Sequence, residues 1–117
     1  MNGSSDAMEE RLRTILDAMA DAARRAGRDP AAVRLVAVSM RQPTEAMEAY
    51  LRAASRLGCP PLFGENYVQE FKKKREQLGS GCPAHLIGPL QKNKARDAVA
   101  IFDGIESVHS AELLELL

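Results

Sequence analysis

Four short strand-like segments, each followed by a segment of helical spacing, constrain this chain more than any other feature. Residues 33–38 (VRLVAV) are a nearly continuous β-branched and aliphatic run of strand length, and residues 61–64, 84–87 and 105–108 read as three further short strands. After the first run, Met47, Tyr50, Leu51, Ala54 and Leu57 recur at three- and four-residue intervals behind a cap at Thr44, and the pattern stops at Gly58. Tyr67, Val68, Phe71, Arg75 and Leu78 follow the second and end in the breakers Gly79, Ser80 and Gly81. A helix over residues 92–100 follows the third, and Ser110 caps a last helix, AELLELL, after the fourth. Strands that alternate with helices predict a parallel sheet with right-handed crossovers. The continuous apolar character of residues 33–38 predicts a strand buried on both faces.

One further helix precedes these units. Ser4, Ser5 and Asp6 are its candidate N-caps, Met8, Leu12, Ile15, Leu16, Met19, Ala23 and Ala26 form its apolar stripe, and Gly27 ends it. A single domain over residues 1–117 is expected, with the helix in 1–30 and four β-α units in 33–117. Two architectures accommodate four such units: a small open doubly wound sheet, or half of a (β/α)8 TIM-like barrel. The chain stops inside an apolar helix with no closing glycine or proline, which favours a piece of something larger.

Charge and cysteine content exclude several function classes. Sixteen basic residues balance sixteen acidic ones, so no global field favours nucleic acid or an anionic membrane. No apolar run approaches the roughly 20 residues that span a bilayer, and the first residues lack the pattern of a signal peptide, so a cytoplasmic protein with no membrane partner is expected. Cys59 and Cys82 each precede a proline, lie outside any metal-ligand spacing, and read as reduced structural thiols. Aromatic residues are only 4% of the chain, so the core must be aliphatic.

The polar residues fall at the same place in each unit, just beyond the strand: Ser39, Met40 and Arg41; Gly64, Glu65 and Asn66; Gly88, Leu90, Gln91, Asn93 and Lys94; Glu106, Ser107 and His109. In a parallel sheet these positions share the carboxyl edge, where α/β folds place small-molecule sites. Asn66 either faces such a ligand or caps the helix that starts beside it. His85 reads as a packed residue rather than a ligand, and His109 has no partner at metal spacing. Lys72, Lys73 and Lys74 read as a solvated helix surface. Lys92, Lys94 and Arg96 read as a solvated helix start.

The segments RLVAVSMRQP (34–43), FGENYVQEF (63–71), HLIGPLQKNK (85–94) and IESVHS (105–110) resemble, in order and in strand position, four motifs of the pyridoxal phosphate homeostasis family. The resemblance covers essentially the whole chain. It implies the N-terminal half of an alanine-racemase-like barrel, pyridoxal 5'-phosphate as the cofactor, and a role in carrying or buffering that cofactor rather than an enzymatic turnover. It also implies that Met40 stands where the family has its Schiff-base lysine, and that Asn66 lies beside the cofactor ring. A thioether cannot form an imine, and the Arg41 guanidinium is no substitute, so the chain is expected to hold no cofactor covalently. The family's phosphate-binding residues belong to the half that this chain lacks. The alternatives are a half-barrel that has lost ligand binding and self-associates, or a fragment of a racemase-like enzyme. Half a barrel exposes one sheet face, expected to carry Leu35 or Val36, Leu62 or Phe63, and Leu86 or Ile87, which predicts a homo-oligomer.

Overall fold

The four β-α units form in the expected order. The computed structural model describes residues 3–79 and 81–117, so Ser80 of the breaker cluster lies outside the described residues. Helix α1 (Gly3–Arg25) is followed by a single 3-10 turn, Pro30–Ala32, and then by β1 (Ala37–Val38) and α2 (Thr44–Leu57). Next come β2 (Phe63–Glu65), α3 (Val68–Leu78), β3 (Ala84–Leu86), a 3-10 turn at Lys92–Lys94, α4 (Ala95–Ile101), β4 (Gly104–Ile105) and α5 (Ala111–Leu116). The strands lie in chain order, β1-β2-β3-β4, and every pairing is parallel.

The chain divides into two compact units, one containing Met1–Leu35 with Glu45–Pro61 and the other Val36–Thr44 with Leu62–Leu117. In the first, α1 runs from Gly3 to Arg25 and has Asp6 in its first turn, while the side chains of the candidate caps Ser4 and Ser5 lie outside what the structure describes. Its other end follows the sequence: Arg28 N–H reaches the Ala23 carbonyl and Gly27 N–H the Arg24 carbonyl. This double closure requires a left-handed residue at position 27, and glycine adopts it at φ 72° without a Cβ penalty. Leu12 and Ala23 are buried, whereas Ile15, assigned to the same stripe, is 47% exposed. On α2, Met47, Ala49, Tyr50, Ala53 and Ala54 are buried. Thr44, the first residue of that helix, belongs to the second unit, where its hydroxyl donates to Gln77 Oε1 at 3.0 Å.

In the second unit, strand alternation sorts the sheet into two unlike faces. Ala37, Phe63 and Ala84 share one register level, and Glu65 and Leu86 the next, on a face where Phe63, Glu65, Ala84 and Leu86 are almost wholly buried. Phe71 of α3 is fully buried and stacks on Phe102, with centroids 4.8 Å apart and planes inclined at 22°. The opposite face carries Val36, Val38, Gly64, His85, Ile87 and Gly104: a Cβ on Gly64 would meet the side chains of Val36 and Ile87 at 2.9 Å, and one on Gly104 would meet the His85 ring. Val38 on this face is 55% exposed.

Burial of the first strand on both faces is therefore not what forms. Residues 33–36 lie before β1, and within the strand Ala37 is half-buried while Val38 is exposed. An apolar run shows that a segment is inward on at least one side, and cannot show that both sides are covered within this chain. Strand β2 starts two residues later than expected because Pro61 has no N–H for the ladder. Of the residues assigned to the open face, Val36 and Ile87 lie on it, while Phe63 and Leu86 turn to the helices.

Candidate functional site

The carboxyl ends of β1 and β2 are locked together where the sequence places its most informative residues. Ser39 N–H continues the ladder to the Gly64 carbonyl at 3.0 Å, and Gln42 N–H closes a turn onto the Ser39 carbonyl at 3.0 Å. Met40 and Arg41 are the central residues of that turn, Met40 half-buried and Arg41 exposed. Arg41 sits at φ 62°, a left-handed conformation that glycine or asparagine adopts far more readily. Holding a non-glycine residue there costs about 1–3 kcal/mol, so other contacts must determine the turn.

Those contacts come from α3 and form a buried ionic cluster on the helix-facing side. Lys74 Nζ donates to the Ser39 carbonyl at 2.7 Å, to Glu65 Oε2 at 2.8 Å and to Glu70 Oε2 at 2.7 Å. An ammonium has three donors, and all three are used. The Ser39 hydroxyl also donates to Glu65 Oε2, and Arg41 N–H donates to Glu70 Oε2 at 2.6 Å. Glu65 is fully buried and its Oε1 has no partner among the described residues. Burial raises the Glu65 pKa against the lowering effect of Lys74 and Ser39. For Glu70, burial also acts upward, but the Lys74 ammonium and the Arg41 amide outweigh it and hold the carboxyl below its usual value.

Lys74 thus does not belong to a solvated lysine surface with Lys72 and Lys73: it is 8% exposed. The signal was present in the spacing, since Lys74 follows Phe71 by three residues and Glu70 by four, placing it on the buried side of α3 beside an acidic partner. A run of three lysines masks that periodicity.

Asn66 does not cap α3. The cap position is Tyr67, which makes no side-chain cap bond. Asn66 instead lies against Gly88 beyond β3, where a Cβ on Gly88 would stand 2.9 Å from the Asn66 Cα, Cβ and Cγ atoms. The Ser107 hydroxyl donates to the Gly88 carbonyl, drawing the end of β4 into the same edge. Below it, His85 Nδ1 pairs with Glu106 Oε2 at 2.9 Å. Met40, Asn66, Gly88 and Ser107 therefore occupy one edge of the sheet, as the sequence order implied. Leu90 is buried, Gln91, Asn93 and His109 are exposed, and Lys92 pairs with Glu112, so these do not join the cluster. Among the described residues no group of three or more His, Cys, Asp or Glu side chains is placed to hold a metal ion. Cys59 and Cys82 are free and buried. Burial, then the charges of Glu65 and Asp103, push the Cys82 thiol up to about 11, which leaves it protonated at neutral pH.

An N-terminal helix followed by four parallel strands in chain order, with polar residues gathered at their carboxyl edge, defines the class: half of a TIM-like barrel. No protein-family model matches the chain. It is 37% identical over 110 residues to the pyridoxal phosphate homeostasis protein of Pseudomonas aeruginosa, an alignment covering 92% of this chain and 45% of that protein. Among solved structures it is similar to an unknown protein from Bifidobacterium adolescentis, with TM-score 0.85 and 30% identity over 99% of this chain and 50% of the other. It is also similar to PipY of Synechococcus elongatus with pyridoxal phosphate bound, with TM-score 0.73 and 38% identity over 94% of this chain and 46% of PipY. The chain belongs to the pyridoxal phosphate homeostasis protein family and spans about half the length of the relatives it matches. No described helix is long and apolar enough to cross a membrane.

Proposed function

We propose that this chain supplies the N-terminal, strand-end half of a pyridoxal phosphate carrier or buffering protein, that it catalyses no turnover, and that by itself it holds no cofactor covalently. The observation that carries this reading is Met40, which stands at the end of β1 beside the edge occupied by Asn66. The residues present do not fit a covalently attached cofactor. None of the chain's lysines, 72, 73, 74, 92 and 94, belongs to a strand of the sheet, and the Lys74 amine is fully committed on the helix-facing side. What the family resemblance leaves to this half is the position of residue 40 and the Asn66 edge.

Incubation with pyridoxal phosphate, borohydride reduction and peptide mapping test the reading. The expected result is no adduct at a defined lysine. A stoichiometric adduct at Lys94 or any other single lysine overturns it. Met40→Lys is expected to gain an adduct at residue 40 when the other half of the barrel is supplied.

A second reading rests on the open sheet face, where Val38 is 55% exposed and Val36 and Ile87 are half-buried. Burying one side chain of this size is worth about 1.5–3 kcal/mol, and several together compete with the association cost of about 4–15 kcal/mol. We infer that residues 1–117 form one folding domain that self-associates through this face. Sedimentation equilibrium at micromolar concentration is expected to give a dimer or larger mass. A monomer with one cooperative thermal transition, independent of protein concentration, rules self-association out.

A further inference from the structure

The Glu70 and Lys74 side chains reach opposite sides of the same residue. Lys74 Nζ holds the Ser39 carbonyl at 2.7 Å, which belongs to the peptide group before Met40. Glu70 Oε2 holds the Arg41 N–H at 2.6 Å, which belongs to the peptide group after it. The two side chains are themselves joined at 2.7 Å and stand one helical turn apart on α3. Peptide groups are planar, so fixing the planes on both sides of a Cα fixes its φ and ψ, and with them the direction of its Cα–Cβ bond. The left-handed Arg41 shows that the turn is held against its own preference. Lys74 is anchored in turn by the fully buried Glu65.

We propose that Glu70 and Lys74 are positioning residues, a two-point clamp on the peptide groups flanking residue 40 that sets the direction of whatever side chain stands there. The clamp's functional meaning rests on residue 40 being the cofactor-anchor position; its existence does not. Both side chains bond the turn at backbone groups, Lys74 at the Ser39 carbonyl and Glu70 at the Arg41 amide, so both act through its backbone.

The test uses the full chain and needs no cofactor. Amide hydrogen exchange at Arg41 and the methyl resonance of Met40 are followed in Glu70→Ala and Glu70→Gln, with the Phe63 and Ile87 amides, bonded to the Pro83 and Glu65 carbonyls, as sheet controls. In Glu70→Ala, Arg41 exchange is expected to rise about 10-fold and the Met40 methyl to shift, while the two controls keep their protection. In Glu70→Gln the amide oxygen still accepts, so most of the Arg41 protection returns. Unchanged Arg41 exchange and Met40 methyl in Glu70→Ala overturn the clamp. So does equal acceleration at Arg41, Phe63 and Ile87, which would make Glu70 a general stabiliser. Failure to trap cofactor in Met40→Lys would count against the proposed function and leave these readings as they stand.

Discussion

Lys74→Met destabilises the protein by about 3–5 kcal/mol, because it leaves the fully buried Glu65 carboxylate with the Ser39 hydroxyl as its remaining donor. A domain of this size is stable by only about 5–15 kcal/mol, so the loss is a large fraction of the whole. Urea denaturation at neutral pH measures it. The penalty is expected to depend on pH in a defined direction. Glu65 already has a raised pKa from burial, and removal of the ammonium raises it further. A carboxyl whose folded pKa lies above its unfolded value contributes stability at low pH that is lost as pH rises through the folded value. The difference between Lys74→Met and the parent should therefore be greatest near neutrality and shrink on acidification through that raised value. A variant as stable as the parent at pH 7 would show that Glu65 is relieved in some other way. Glu65→Gln combined with Lys74→Met should recover much of the loss, since no buried charge remains.

The second large effect is expected at Phe71. Its ring is fully buried and stacked on Phe102. Phe71→Ala removes that contact and leaves a cavity in the helix-facing layer, at a cost of about 3–5 kcal/mol. Phe71→Leu keeps most of the volume and should cost clearly less. Thermal or urea unfolding of the two variants checks the order. Equal effects would mean that the site relaxes around the missing ring.

These two residues also show what the sequence could and could not convey. Phe71 was legible as core because it lies at helical spacing with Val68 and before a breaker cluster, and the structure buries both. Lys74 lies at the same spacing, yet its residue type points outward: a lysine is inward only when a carboxylate waits for it, and Glu65 lies on a separate element across the β2–α3 turn. The four β-α units were legible because their signals are local. The unequal sheet faces were not, because the identity of a face depends on what covers it, and runs such as residues 33–38 look the same on a half-covered strand. The edge that gathers Met40, Asn66, Gly88 and Ser107 followed from topology alone, whereas the turn that orients Met40 depends on a left-handed Arg41 that no local preference would propose.

The identity of strand order and chain order has a consequence for how the molecule comes into being. Each strand pairs with the one formed just before it, and no described strand waits for a later segment to be inserted between two earlier ones. Every ladder closes across a single helix, so the loops that must close are short and their entropy cost grows little from one unit to the next. A chain with this order can add one unit at a time as it emerges from the ribosome, N-terminal units first, each edge strand serving as template for the next.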